Sequence, residues 1–219
     1  MQPVVVNNYT LVAGNATSLV NANASTGGAL TLATTLVPGV WQRRVTVTSQ
    51  GNDSGIYFHI LGTNQAGFAI GEYIAGQNGS TTAAQTNLDY LTVTSITPSS
   101  SSVAQTVGTT AATVSAGVNG SGSSLWNICN WHVTPVNIQY SCVLVSNNAT
   151  FSIQYTYDDP NNLPSGVTYP QPFNHPTINA ATATIDGSSN DPITAWRLLV
   201  SAGTGSIRAT GIQAGIGGP

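Results

Sequence analysis

The chain has 219 residues, of which 41% are hydrophobic and only 5% charged, with a net charge of −3. An average soluble domain carries roughly 25% charged residues, so solubility here rests on Ser, Thr, Asn, Gln and Gly. There is no lysine, and the only cations are Arg43, Arg44, Arg197 and Arg208; this excludes a basic footprint for nucleic acid, and no apolar run reaches the length of a membrane span.

The length suits one large β domain or two smaller ones. A free monomer normally keeps a mixed-sign charged surface that resists association. Its absence points to a surface covered by neighbours in an assembly. The opening Met1-Gln2-Pro3 and the short Val4–Val6 run lack the basic and long apolar regions of a signal peptide.

Residues 1–25, rich in Asn, Ala, Thr and Val and without charge, read as an extended N-terminal arm. It is either a loose tail or a segment laid across a neighbouring subunit. A first β domain is expected over 26–118. Val45 and Val47 alternate with Thr46 and Thr48, and Ile56, Phe58 and Ile60 share one face with Tyr57 and His59 on the other. Residues 62–67 read as a hairpin loop, with a return strand through Phe68, Ile70 and Glu72. A further strand fits Leu88 to Ile96 and stops at Pro98, with Val103–Val107 and Ala112–Val118 as shorter segments after it.

Residues 119–124, all small and polar, predict a flexible connector. The second domain, 125–219, holds Trp126, Trp131, both cysteines and strands near 125–132, 136–146, 149–158, 176–185, 193–201 and 204–213. The strongest period-two signal sets Phe151, Ile153, Tyr155 and Tyr157 against Ser152, Gln154 and Thr156. No capped stretch has helical spacing of apolar residues. The fold expected is all-β: two β-sandwich or jelly-roll-like domains in series with an extended N-terminal arm.

Chemistry-bearing patterns are sparse. His59, His132 and His175 lie in different segments without metal-ligand spacing. Asp158 and Asp159 with Asn161 and Asn162 could offer oxygens to calcium, but an Asx turn before Pro160 explains them more simply. Asp186-Gly187 reads as another turn. A glycosidase-type pair of carboxylates has no positive support. Trp41, Trp126, Trp131 and Trp196 are the residues a sugar-stacking platform would use. Arg197, embedded in an apolar strand, is expected to pair with a carboxylate or a loop carbonyl. Cys129 and Cys142 favour two buried thiols over a bridge, since nothing indicates export. Sequons such as Asn15-Ala16-Thr17 follow from composition. No catalytic residue, cofactor or metal is expected.

Three stretches carry a likeness: Phe151–Pro160, Ala195–Leu198, and Ser201–Ser206 with Gln213–Gly215. A similar character runs through Val45–Gly55 and Leu61–Gly67. They resemble accessory structural proteins of tailed-bacteriophage virions, most of all capsid decoration (cement) proteins. The resemblance implies a location on the capsid surface of the virion, the major capsid protein as partner, and self-association as a homotrimer, with no nucleic-acid or membrane partner. Tail, head-tail adaptor or head-fibre roles belong to the same class, and a carbohydrate-binding module is the alternative outside it. Contacts are then expected at Tyr9 and Leu11 of the arm and at Asp159, Pro160, Tyr169, Phe173 and His175 of the proline-rich loop.

Overall fold

Alternating apolar and polar residues build strands whose every pairing is antiparallel, and no helix occurs among the described residues. The structure, a computed structural model, describes residues 5–10, 15–24, 28–35, 41–49, 52–78, 84–99, 113–118, 122–130, 133–146, 148–167, 169–203 and 205–217. In chain order the strands are β1 (Val5–Thr10), β2 (Asn15–Ala24), β3 (Val45–Ser49), β4 (Tyr57–Thr63), β5 (Ala69–Ala75), β6 (Ala84–Gln85), β7 (Thr92–Pro98) and β8 (Thr113–Val118). There follow β9 (Gly122–Ser123), β10 (Asn127–Ile128), β11 (Val133–Ser146), β12 (Ala149–Thr156), β13 (Phe173–Asn174), β14 (Ile185–Ser189), β15 (Ala195–Gly203) and β16 (Ser206–Gly217).

The strands fall into two compact units, one formed by Ala13–Asn119 and the other by Met1–Val12 together with Gly120–Pro219. The two bodies expected in series are therefore nested, with one inserted between the first strand and the remainder of the other. The 13–119 unit has a sheet ordered β2-β8-β3-β6 and a sheet ordered β5-β4-β7. Leu19, Val20, Val45 and Val47 from the first meet Phe58, Ile60, Ile70, Ile74, Val93 and Ile96 from the second in one buried cluster. Each such side chain contributes about 2 kcal/mol of hydrophobic stabilisation. Leu19 and Val20 are neighbours and both 0% exposed. The register of β2 on β8 slips on either side of Val20, and such irregularities let consecutive residues turn inward.

In the other unit the sheets are β1-β16-β11-β14 and β10-β15-β12-β13, with β9 also on β15. Both units are sandwich-like. Phe151, Ile153, Leu198 and Val200 are each 0% exposed on the inner face of the second sheet, as are Tyr140 and Cys142 on the first. Trp196 meets Tyr140 edge-on, with ring centres 5.5 Å apart. Gly211 of β16 makes room for the indole, because a Cβ there would lie 2.8 Å from Trp196 Cε2.

Several expectations are corrected. The described residues of the expected 1–25 arm are strands: Val5–Thr10 pairs along its length with β16, and Asn15–Ala24 pairs with β8. An uncharged run that looks like a tail is an edge strand once its distant partner is present. Within the expected 119–124 connector, the described residues 122–124 are structured. Gly122 and Ser123 pair with Val200 and Leu199 of β15, and Ser123 and Ser124 are 0% exposed. Small residues suit this site because Ser124 Oγ must accept the Leu198 N–H at 3.0 Å.

The strand expected over 176–185 is displaced to Ile185–Ser189, so Asp186 and Gly187 sit in β14 opposite Ser141 and Tyr140 and make no turn. Glycine serves packing there, since a Cβ at 187 would meet His175 Cε1 at 2.9 Å. The strand expected from Leu88 begins at Thr92; Tyr90 instead makes a bridge to Arg43, exchanging two backbone hydrogen bonds of 3.0 and 2.8 Å. Of the 125–132 strand only Asn127–Ile128 is formed, with Trp131 and His132 outside the described residues, as are Val103–Val107.

Candidate interaction surface

The charge census is the first property of the surface. Of eleven charged side chains (four Arg and seven Asp or Glu), only Arg44, Arg208, Asp186 and Asp191 are exposed, two of each sign. Arg43 is 0% and Arg197 7% exposed. Burial lowers the pKa of Arg43 by penalising its charged form.

Each unit presents an aromatic surface. In the 13–119 unit, alternation along β4 sends Phe58 and Ile60 inward, and Tyr57, His59 and Leu61 outward. The hairpin to β5 sets His59 opposite Tyr73. Their rings stack at 4.1 Å and 4°. Tyr57 is 55% exposed and Tyr73 66%. Asn64 fixes this register: its Oδ1 accepts the N–H of Ala66 at 3.0 Å and of Phe68 at 3.1 Å. Gly67 supplies the positive φ of 82° that closes the turn. The strand resumes at Ala69, so Phe68 belongs to the turn and not to the return strand. Glu72 lies on the opposite face and accepts from Asn87 N, Asn87 Nδ2 and Leu88 N at 2.8–3.1 Å.

In the other unit, Tyr155, Tyr157 and Phe173 form a triangle with ring centres 5.7, 5.8 and 5.6 Å apart. Rings at that separation pack on one another and leave no room between them for a guest. Tyr157 and Phe173 stay half-exposed, beside the loop that carries exposed Tyr169. On the opposite face of β12, a polar row crosses four strands, buried at Ser123, Gln154 and Arg197 and exposed at Asn174. Arg197 Nε donates to Gln154 Oε1 and Arg197 NH1 to Ser123 Oγ, both at 2.9 Å, and Gln154 Nε2 donates to Asn174 Oδ1 at 2.9 Å. The partners of Arg197 include amide and hydroxyl oxygens and an indole face.

The residues expected to make contacts divide. Tyr9 lies in β1 opposite Ile207, and Leu11 is outside the described residues. Tyr169 and Phe173 are exposed, at 46% and 42%. Asp159 Oδ1 accepts the Asn161 N–H at 2.9 Å in the Asx turn, and Asp158 Oδ2 accepts Gln171 N at 2.7 Å across the loop. Pro160 is buried, and His175 is only 1% exposed. His175 Nδ1 accepts the N–H groups of Thr177 and Ile178 at 3.2 and 3.1 Å. The proton must then sit on Nε2, which faces Ser188 O at 3.1 Å. This histidine ties the loop to β14.

Trp41, Trp126 and Trp196 are 2%, 6% and 3% exposed, which removes them from any exposed sugar platform. Cys129 and Cys142 are free and buried. The His59–Tyr73 surface escaped notice in the sequence because its two rings come from different strands; the alternation around Phe58 was the signal for one half of it.

Fold and surface together define an all-β protein of two sandwich-like units with a charge-poor exterior. No family model, curated protein or solved structure matches the chain.

Proposed function

We propose that the chain is a structural component of a bacteriophage virion: a capsid decoration (cement) protein that binds the outer capsid lattice as an oligomer, expected to be a homotrimer, and stabilises the shell. The observation that carries this reading is the exterior itself. An exterior with few charges, together with Tyr57, Tyr73, Tyr157, Tyr169 and Phe173 on the surface, makes a coat suited to burial against protein. The likeness of Phe151–Pro160 and Ala195–Leu198 to accessory virion proteins directs it to the phage particle. A protein that binds only the assembled lattice stabilises it by mass action.

The test is to add the purified chain to capsids stripped of it and follow binding and the temperature at which the shells disassemble. Saturable binding with a raised disassembly temperature is expected. Capsids that neither bind the chain nor gain stability would defeat the proposal. Imaging of the virion then separates roles within the class: a closed ring of about six or twelve copies would place the chain in the tail or the head-tail adaptor instead.

A further inference from the structure

The sheet β5-β4-β7 has two edges, and they are treated differently. The outer edge of β7 is occupied by the chain itself: Leu30 N donates to Ile96 O and Val93 N to Thr35 O, both at 2.8 Å. Among the described residues, no strand or loop backbone pairs with the outer edge of β5. Gly76 N donates to Ile56 O at 2.7 Å and Asn64 N to Phe68 O at 3.0 Å, which fixes the alternation of the hairpin. Ile70, Glu72 and Ile74 aim their backbone groups at β4, and Ala69, Gly71, Tyr73 and Ala75 aim theirs outward. Among the described residues, the one hydrogen bond onto that outer row is a long contact from Gln77 Nε2 to Ala75 O at 3.4 Å.

An open edge is usually protected by lysine, proline or a bulge. Ala69–Ala75 has no lysine or proline, and its register on β4 is unbroken. Its charge, Glu72, is drawn by Asn87 and Leu88 over the opposite face of its own sheet. The sequence of the strand is moreover close to a palindrome about that residue. Read from either end, Ala-Ile-Gly-Glu-Tyr-Ile-Ala sets Ala69 against Ala75, Ile70 against Ile74 and Gly71 against Tyr73.

We propose that the outer edge of β5 pairs antiparallel with the same edge of a second copy, in a register centred on Glu72. This contact has two-fold symmetry and closes on itself. In that register the outward rows of N–H and C=O groups meet each other. Each Tyr73, 66% exposed in the single chain and stacked on His59, comes opposite its partner's Gly71, on the face where Leu61 already lies against that glycine. Two Glu72 residues come opposite one another, an arrangement that weakens a strand pair. Here the N–H donors from Asn87 and Leu88 already hold each carboxylate. The contact does not depend on the virion reading, because it forms between copies of the purified chain.

The test is amide hydrogen exchange on the full chain at low and high concentration, alongside sedimentation equilibrium. The amides of Ala69, Gly71, Tyr73 and Ala75 are expected to slow as the chain associates. Tyr73→Lys, at an exposed site, should restore their fast exchange and weaken the association by about tenfold or more. Tyr57→Lys, on the same face but on the central strand, should leave both readouts near wild type. Circular dichroism checks that each variant is folded. Fast exchange of the four amides at every concentration overturns the proposal. So does slowed exchange that Tyr73→Lys leaves unchanged, or association that Tyr57→Lys weakens as much as Tyr73→Lys does.

Discussion

The guanidinium carbon of Arg197 lies 4.5 Å from the centre of the Trp126 ring. Both residues are buried, at 7% and 6% exposure, so this cation–π contact operates where water does not compete for the charge. With Gln154 and Ser123 accepting its N–H groups, Arg197 ties the entry segment of the unit, residues 122–126, to β15 and β12. A single arginine in an otherwise apolar strand thus holds down a chain segment that composition alone describes as a linker.

Truncating Arg197 strands two buried acceptors and uncovers the indole. Hydrogen bonds to a charged group contribute about 1.5–3 kcal/mol each. Arg197→Ala should therefore lower unfolding stability by about 3 kcal/mol, and Gln154→Ala by about half that. The double variant should lose less than the sum, because the partners are directly bonded. Urea unfolding of the four proteins closes the cycle, and strict additivity would deny the coupling.

Gly211→Ala probes the other side of the same unit. The new methyl would press on the Trp196 ring, with Cε2 at 2.8 Å and Nε1 at 3.1 Å. The ring is 3% exposed and packed edge-on against Tyr140, so it has nowhere to go. Overpacking of this kind costs about 1–3 kcal/mol. A lowered urea midpoint and a changed tryptophan emission are expected, and a neutral substitution would show that the sheets separate easily here.

How far the sequence revealed all this depends on how local the cause was. The strand over Ala149–Thr156 was legible because Phe151, Ile153 and Tyr155 repeat at the period of two that a strand imposes. β1 was not, because what makes Val5–Thr10 a strand is β16, some two hundred positions away. Ser123 and Ser124 looked like linker residues because their composition cannot disclose that Arg197 and Leu198 need hydroxyl partners. Of the residues expected to make contacts, Tyr169 and Phe173 lie on the outside. His175 does not, since its burial follows from a glycine in β14 and from two backbone donors of its own loop.

The N-terminal strand makes a prediction opposite to that for a dispensable arm. Removing residues 1–12 deletes β1 and exposes the backbone edge of Ser206–Gly211 along β16. The unit built on 120–219 should lose stability and gain a tendency to aggregate through that edge. Proteolysis in a urea series, read separately on fragments of each unit, should show the 13–119 unit much less affected. Unchanged stability of the 120–219 unit would mean that β1 adds nothing to it.

The two cysteines give the molecule a specific response to alkali. Burial pushes the Cys129 and Cys142 thiols up from 9.0 to about 12, because a thiolate cannot be solvated at either site. Unfolding restores an ordinary thiol. Below the unfolded value both states hold their protons, and the full stability is present. As pH rises from 9.0 towards 12, the unfolded chain ionises first, binds fewer protons than the native one, and is favoured. Buried Tyr90 and Tyr140, which desolvation also raises from 10.0, add a loss of the same sign at the upper end. Urea midpoints should therefore hold steady up to about pH 8.5 and fall continuously above it. Replacing both cysteines with alanine should flatten the first part of the decline, leaving the tyrosine part. Native thiols should also resist alkylation near pH 8 and react at once in urea; rapid labelling of the folded chain at that pH would show that the thiols are not shielded.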